Sequence, residues 1–177
     1  SRDQGNQGTS TVKDFLKNYS ADTLRLIVVN HHYRSPIDYS ETLVKQASQT
    51  LNNLKDFFAR LRLRIDKNDI QSLKIPINIE SYKKKFRQTL EDDFNTPKAL
   101  SIIFELINGI NKPRLSENIL WHLPKKEALQ IKKFLIESLK SFGIYLKASK
   151  IPAKISILSK KRELLRINKQ FIESDAL

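Results

Sequence analysis

The sequence contains no cysteine and no methionine. Without cysteine there are no disulfides, no thiol nucleophile and no Cys-based zinc site. Position 1 is a serine, so the chain is expected to be processed or excised from something longer. Glycine and proline are scarce, 4 and 6 of 177 residues, which speaks against a loop-rich or β-rich chain. No run of about 18 apolar residues is present and no secretory signal is visible, so no membrane span is expected and the cytoplasm is the expected location. There is no glycine-rich phosphate loop behind a strand, and no nucleophile stands beside a base. As a self-contained enzyme the chain is a poor candidate.

What is present is apolar content of 40%, enough for a buried core, and a net charge of +13. Residues 112 to 177 carry 15 of the 32 basic residues against 6 of the 19 acidic ones, whereas the first 111 carry 17 against 13. A basic surplus gathered toward one end favours a polyanionic partner, most often nucleic acid. The competing reading is a lysine-rich surface that serves solubility alone.

The apolar spacing is helical throughout. Ser10 or Thr11 can cap a short helix, TVKDFLKNY, and ADTLRLIVVNHH forms a second around Leu24, Leu26, Ile27 and Val28. Pro36 stops it. Ser40 is a good N-cap for a long helix whose seam is Val44, Ala47, Leu51, Leu54, Phe58, Leu61 and Ile65. A third main helix carries Ile79, Tyr82, Phe86 and Leu90, and Thr96-Pro97 opens the next, with Leu100, Ile103, Phe104 and Ile107 buried and Asn108-Gly109 weakening its end. Then come a helix with Leu129, Leu135, Ile136, Leu139 and Phe142, punctuated by Gly143, and a last one from Pro152. KIPINI is the only strand candidate, and Pro76 lies inside it. The fold expected is all-α: residues 1–10 a leader, 11–39 a short helical neck, and 40–177 an antiparallel helix bundle.

Three histidines, His31, His32 and His122, have no acidic partner at ligand spacing, so no metal site is expected. Asp92 and Asp93 lie between two helices and fit capping and dipole compensation better than catalysis. Lys125, Lys132 and Lys133 share one helical face, as do Arg162, Arg166 and Lys169. Two such stripes on neighbouring helices would suit phosphates. Tyr19, Tyr33, Tyr39, Trp121 and Tyr145 are candidates for stacking on bases. The stretch HHYRSPIDYSETL, residues 31–43, is the specific one. Arg34 is suited to a phosphate or to a neighbouring carboxylate, and Asp22 to pairing with Arg25. From the residues alone, scaffold and ligand roles for this corner stay open.

DTLRLIVVNHHYRSPIDYS resembles the segment that follows the catalytic domain in cysteinyl-tRNA synthetases, on Asp22, Arg25, His32, Tyr33, Arg34, Ser35, Pro36, Tyr39 and Ser40. DDFNTPKAL, with Asp93, Asn95, Thr96 and Pro97, is similar to a second motif of that family, and Arg162, Arg166, Lys169, Phe171 and Asp175 keep the spacing of its last bundle helix. TVKDFLKNY looks like the helix after the family's ATP-site loop, which makes residues 1–10 either an unrelated leader or a remnant of that loop. The resemblance implies an origin in a ligase that joins cysteine to its tRNA using ATP, with ATP and zinc bound in a catalytic domain this stretch lacks. Its own implied role is non-catalytic: an anticodon-binding type of bundle, with tRNA and the parent's catalytic domain as partners. Arg25, His32, Tyr33, Arg34, Tyr39, Lys125, Lys132, Arg162, Arg166 and Lys169 would be its tRNA or junction contacts. Asp22, Ser35, Pro36, Ser40, Asp93, Asn95, Thr96 and Pro97 would shape it. Two alternatives remain: a basic helical bundle that binds a protein, and a related ligase acting on an amino sugar, which is expected to lack much of the bundle.

Overall fold

A computed structural model describes residues 11–67, 77–114 and 117–146. The helix from Pro152 and the stripe Arg162, Arg166 and Lys169 lie outside them. The described residues belong to one compact unit that ends at Lys147. Seven helices lie among the described residues: α1 (Val12–Asn18), α2 (Ala21–Val29), α3 (Glu41–Asp66), α4 (Ile79–Glu91), α5 (Thr96–Asn111), α6 (Ile119–His122) and α7 (Lys125–Ser141). The only sheet among these residues is a two-residue antiparallel pair, β1 (Pro113–Arg114) with β2 (Glu117–Asn118), between α5 and α6. The last residues of KIPINI are irregular at Ile77 and Asn78 and enter α4 at Ile79.

Side-chain oxygens start the helices. Thr11, Ser20, Ser40 and Asn78 each accept a backbone N–H three residues on, satisfying one of the donors a helix start leaves open. Lys17 and the Thr11 hydroxyl both bond to Asp14 and hold its carboxyl below the usual carboxylate range. At α5 the cap is Asn95, whose Oδ1 accepts from the Lys98 N–H at 3.2 Å. Thr96 is therefore already inside the helix and does not cap it, contrary to the expectation from Thr-Pro. Gly109 does not end α5 either. The helix runs through it to Asn111, and nothing lies within 4 Å of where its Cβ would be. One glycine costs an otherwise well-packed helix only about 1 kcal/mol.

Packing decides which apolar residues are inside. α5 has a wide buried face, with Ala99, Leu100, Ile102, Ile103, Leu106, Ile107 and Ile110, and it packs on α4, α6 and α2. In α3, Phe57 is fully buried and Phe58 only partly, the reverse of the heptad reading. α3 packs mainly on α2, α6 and α7, so its covered side shifts along its length toward Phe57 and Arg64. In α7 the inner face is Ala128, Ile131, Phe134, Leu135, Ser138 and Leu139. Leu129 and Ile136, expected inside, are 46% and 45% exposed, and Val28 of α2 is exposed too. Phe86, Phe134 and Phe142 join α4 to α7 through tilted and edge-on ring contacts. Gly143 adopts φ +71 as α7 ends, and its N–H and that of Ile144 take up Lys140 and Leu139 carbonyls.

Candidate nucleic-acid interface

Two corners meet at the centre of the site. The first runs from His31 to Ser40 between α2 and α3. Its turn is closed by the Ser35 N–H donating to the His32 carbonyl at 2.8 Å, and the Arg34 N–H donates to His32 Nδ1 at 3.3 Å. The second corner, Asp92 to Asn95, turns α4 into α5. Asp93 and Phe94 both sit in the left-handed region there, at φ 53 and 52. Asp tolerates that conformation better than most residues, whereas a bulky ring does so at a cost.

The Asp93 carboxylate is the tie between them. Its Oδ1 accepts from the Tyr33 hydroxyl at 2.8 Å and from Arg34 Nη2 at 3.2 Å. His32 Nε2 lies 3.8 Å from Oδ2. Because His32 Nδ1 is an acceptor, a neutral ring carries its proton on Nε2, the nitrogen that faces Asp93. Tyr33 stacks on His32 at 4.8 Å and lies under the Arg34 guanidinium at 5.2 Å. The corner thus presents three side chains to one carboxylate some 60 residues away. Of the two partners the sequence left open for Arg34, the structure supplies the carboxylate, while the guanidinium stays 67% exposed. Asp93 does not act as a helix cap, the role its position between two helices suggested.

This tie predicts a graded response to substitution at Asp93. Asp93→Ala removes the acceptor and leaves a β-carbon in a left-handed backbone, so a loss of about 1–2 kcal/mol is expected. Asp93→Asn keeps an acceptor and a residue at ease there, and should cost less than about 1 kcal/mol because the ion pair is half exposed. Urea denaturation of both variants reads the difference. Midpoints for both variants equal to that of the unaltered chain would mean that the carboxylate contributes nothing.

A second tie holds α2. Asp22 Oδ1 accepts from Arg25 Nη1 at 3.1 Å, the pairing expected from their spacing, and also from the Tyr145 N–H at 3.4 Å. Gly143 passes so close to Arg25 that a Cβ there would lie 3.4 Å from its Cδ. Tyr39 meets Phe15 edge-on at 6.4 Å, and Tyr19 lies 5.0 Å from the same ring, so the far end of the first corner rests on α1. Tyr33, Tyr39 and Tyr145 are more than half exposed, and Trp121 is 38% exposed with Lys67 over its ring. His31 donates through Nδ1 to the Ile27 carbonyl, a local helix-end contact. Among the described residues no group of three or more His, Cys, Asp or Glu side chains could hold a metal ion, and no helix is long and apolar enough to cross a membrane.

The cationic surface lies on α7. Its outer face carries the exposed Lys125, Lys126, Lys133 and Lys140, and Lys132, half-buried, stands at the edge of the buried stripe. Lys133 is 4.0 Å from Glu137, whereas Lys132 has no ion pair among the described residues. Sequence reading did not connect the two corners, although both concentrate polar and aromatic residues in turns. It also passed over Phe94 and Arg87, which line a cavity beside Asp93. The signal for Phe94 was a large ring inside a four-residue turn, where burial is hard to achieve.

A family model described as the class I (C) tRNA synthetase catalytic domain matches residues 3–49, and one described as the DALR domain matches residues 85–147. Tyr33 and Arg34 fall in the first match and Asp93 in the second, so the tie joins the two. Three curated relatives are all cysteine–tRNA ligases. That of Thermodesulfovibrio yellowstonii is 32% identical over 94% of this chain and 38% of its own length. That of Thermococcus onnurineus is 29% identical over 94% and 37%, and that of Shewanella frigidimarina 36% identical over 60% and 21%. Along 94% of its length the chain is similar to cysteine–tRNA ligases, and it spans little more than a third of the length of those relatives.

Proposed function

We propose that this chain is the tRNA-binding helical portion of a cysteine–tRNA ligase, the enzyme that attaches cysteine to its tRNA with ATP. The observation that carries this reading is the one-sided lysine face of α7, inside the stretch matched by the DALR domain. A row of cations on one helix face meets the regular phosphate spacing of an RNA strand, giving binding that is largely independent of base identity. Lys125 and Lys132 are the leading contacts on this face, and Arg25, Tyr39 and the exposed edge of Arg34 extend it toward the corner. The tie at Asp93 fixes the angle at which the region matched by the catalytic-domain family presents itself to the DALR region. ATP and zinc are implied for the catalytic domain by the family. Among the described residues no group of three or more His, Cys, Asp or Glu side chains could hold the zinc.

Competition between a cysteine tRNA transcript and heparin for the chain tests the proposal. A clear preference for the tRNA is expected, because shape as well as charge contributes. Equal affinity for the two polyanions would overturn it. A second reading, a face for another protein, is favoured by Leu129 and Ile136, which lie exposed among the α7 lysines.

A further inference from the structure

The tie at Asp93 leaves a cavity of about 790 Å³ on its α4 side. Tyr33, Phe86, Leu90 and Phe94 give it aromatic and aliphatic walls, and Arg87, Glu91 and Thr96 add polar groups. Its volume falls in the range of small-ligand sites, about 300–1,000 Å³, and so does its plan of apolar walls with a few convergent polar groups. Phe94 is the unusual member. It is held at φ 52 in the left-handed region and is nevertheless 69% exposed. A ring that neither relaxes its backbone nor gains burial is a mark of function. Tyr33, 62% exposed, supplies a second ring to the same cavity.

We propose that this cavity receives one unstacked nucleobase of the bound RNA, stacked on Phe94. The inference rests on the RNA-binding reading and adds to it a position where a single nucleotide is held. Arg87 and Glu91 stand one turn apart on α4, both exposed, and neither is in an ion pair among the described residues. A nucleotide matches both, with a phosphate for the guanidinium and an exocyclic amino group for the carboxylate. An aliphatic protein side chain would match the walls but would leave both charges partly desolvated and unpaired. The chain's net charge of +13 points the same way, toward an anionic occupant.

The decisive variant is Phe94→Gly, because glycine removes the ring and also relieves the left-handed strain. The melting midpoint should hold or rise while affinity for a cysteine tRNA transcript falls about 5- to 100-fold, the worth of one stacked base. Affinity for a fully paired RNA duplex of equal length should not change. Phe94→Trp, which keeps a stacking surface, should restore tRNA binding. Undiminished tRNA affinity in Phe94→Gly would overturn the inference while leaving the RNA-binding reading intact. So would an equal loss toward both RNAs, or a Trp variant that behaves like Gly. If the unaltered chain binds neither RNA, the RNA-binding reading itself fails and this inference fails with it.

Discussion

Replacing Phe57 by alanine is expected to cost about 3–5 kcal/mol, the usual range for deleting a fully buried phenylalanine. The same change at Phe58 is expected to cost roughly 1–2 kcal/mol, because its side chain keeps contact with water. The two residues are adjacent and chemically identical, so helix propensity and unfolded-state effects nearly cancel in the comparison. What differs is position: Phe57 is at 0% exposure in the core, and Phe58 is one of the partly buried residues packed against it. Chemical denaturation of the two single variants measures the difference directly. Equal costs would mean that the heptad seam through Phe58 describes α3 better than a buried face that shifts along the helix.

The second large effect is on binding. Affinity for tRNA is expected to fall about 50- to 300-fold between 50 and 200 mM salt, as for a surface that displaces counterions from some four to six phosphates. Lys132→Ala should make the slope shallower by about one counterion's worth and weaken binding to all RNA sequences alike. Arg34→Ala should have a smaller effect on the slope, because Asp93 already engages one of its nitrogens. Titrations by filter binding across a salt series give both quantities. A flat salt response with intact affinity would favour the protein-contact reading, in which Leu129 and Ile136 carry the interface and the lysines only frame it.

Folding and binding draw on different parts of α7. Its inner stripe, Ile131, Phe134, Leu135 and Leu139, is needed for folding, and its outer lysines are available for a partner. Substitutions on the outer face should leave stability almost unchanged, since exposed lysines contribute little to it. Binding losses there can therefore be read without correction for unfolding.

Much of this was legible in the residue order. Helical spacing, N-caps at Thr11 and Ser40 and the turn at Gly143 are local properties, whereas α2 ends at Val29, well before the stop expected at Pro36. Each depends on a side chain reaching its own backbone within three or four positions or on one residue's φ, and these the sequence carries by itself. The Asp22–Arg25 pair is local in the same sense. The side of a helix that is covered is not local. Val28, Leu129 and Ile136 are outside, and Phe57 rather than Phe58 is inside, because neighbouring helices supply the cover and their positions come from distant parts of the chain. The meeting of Tyr33 and Arg34 with Asp93 likewise exists only once α2, α4 and α5 have packed. A hydrogen bond across some 60 residues leaves no spacing to read, since its geometry is set by the core that brings the two corners together.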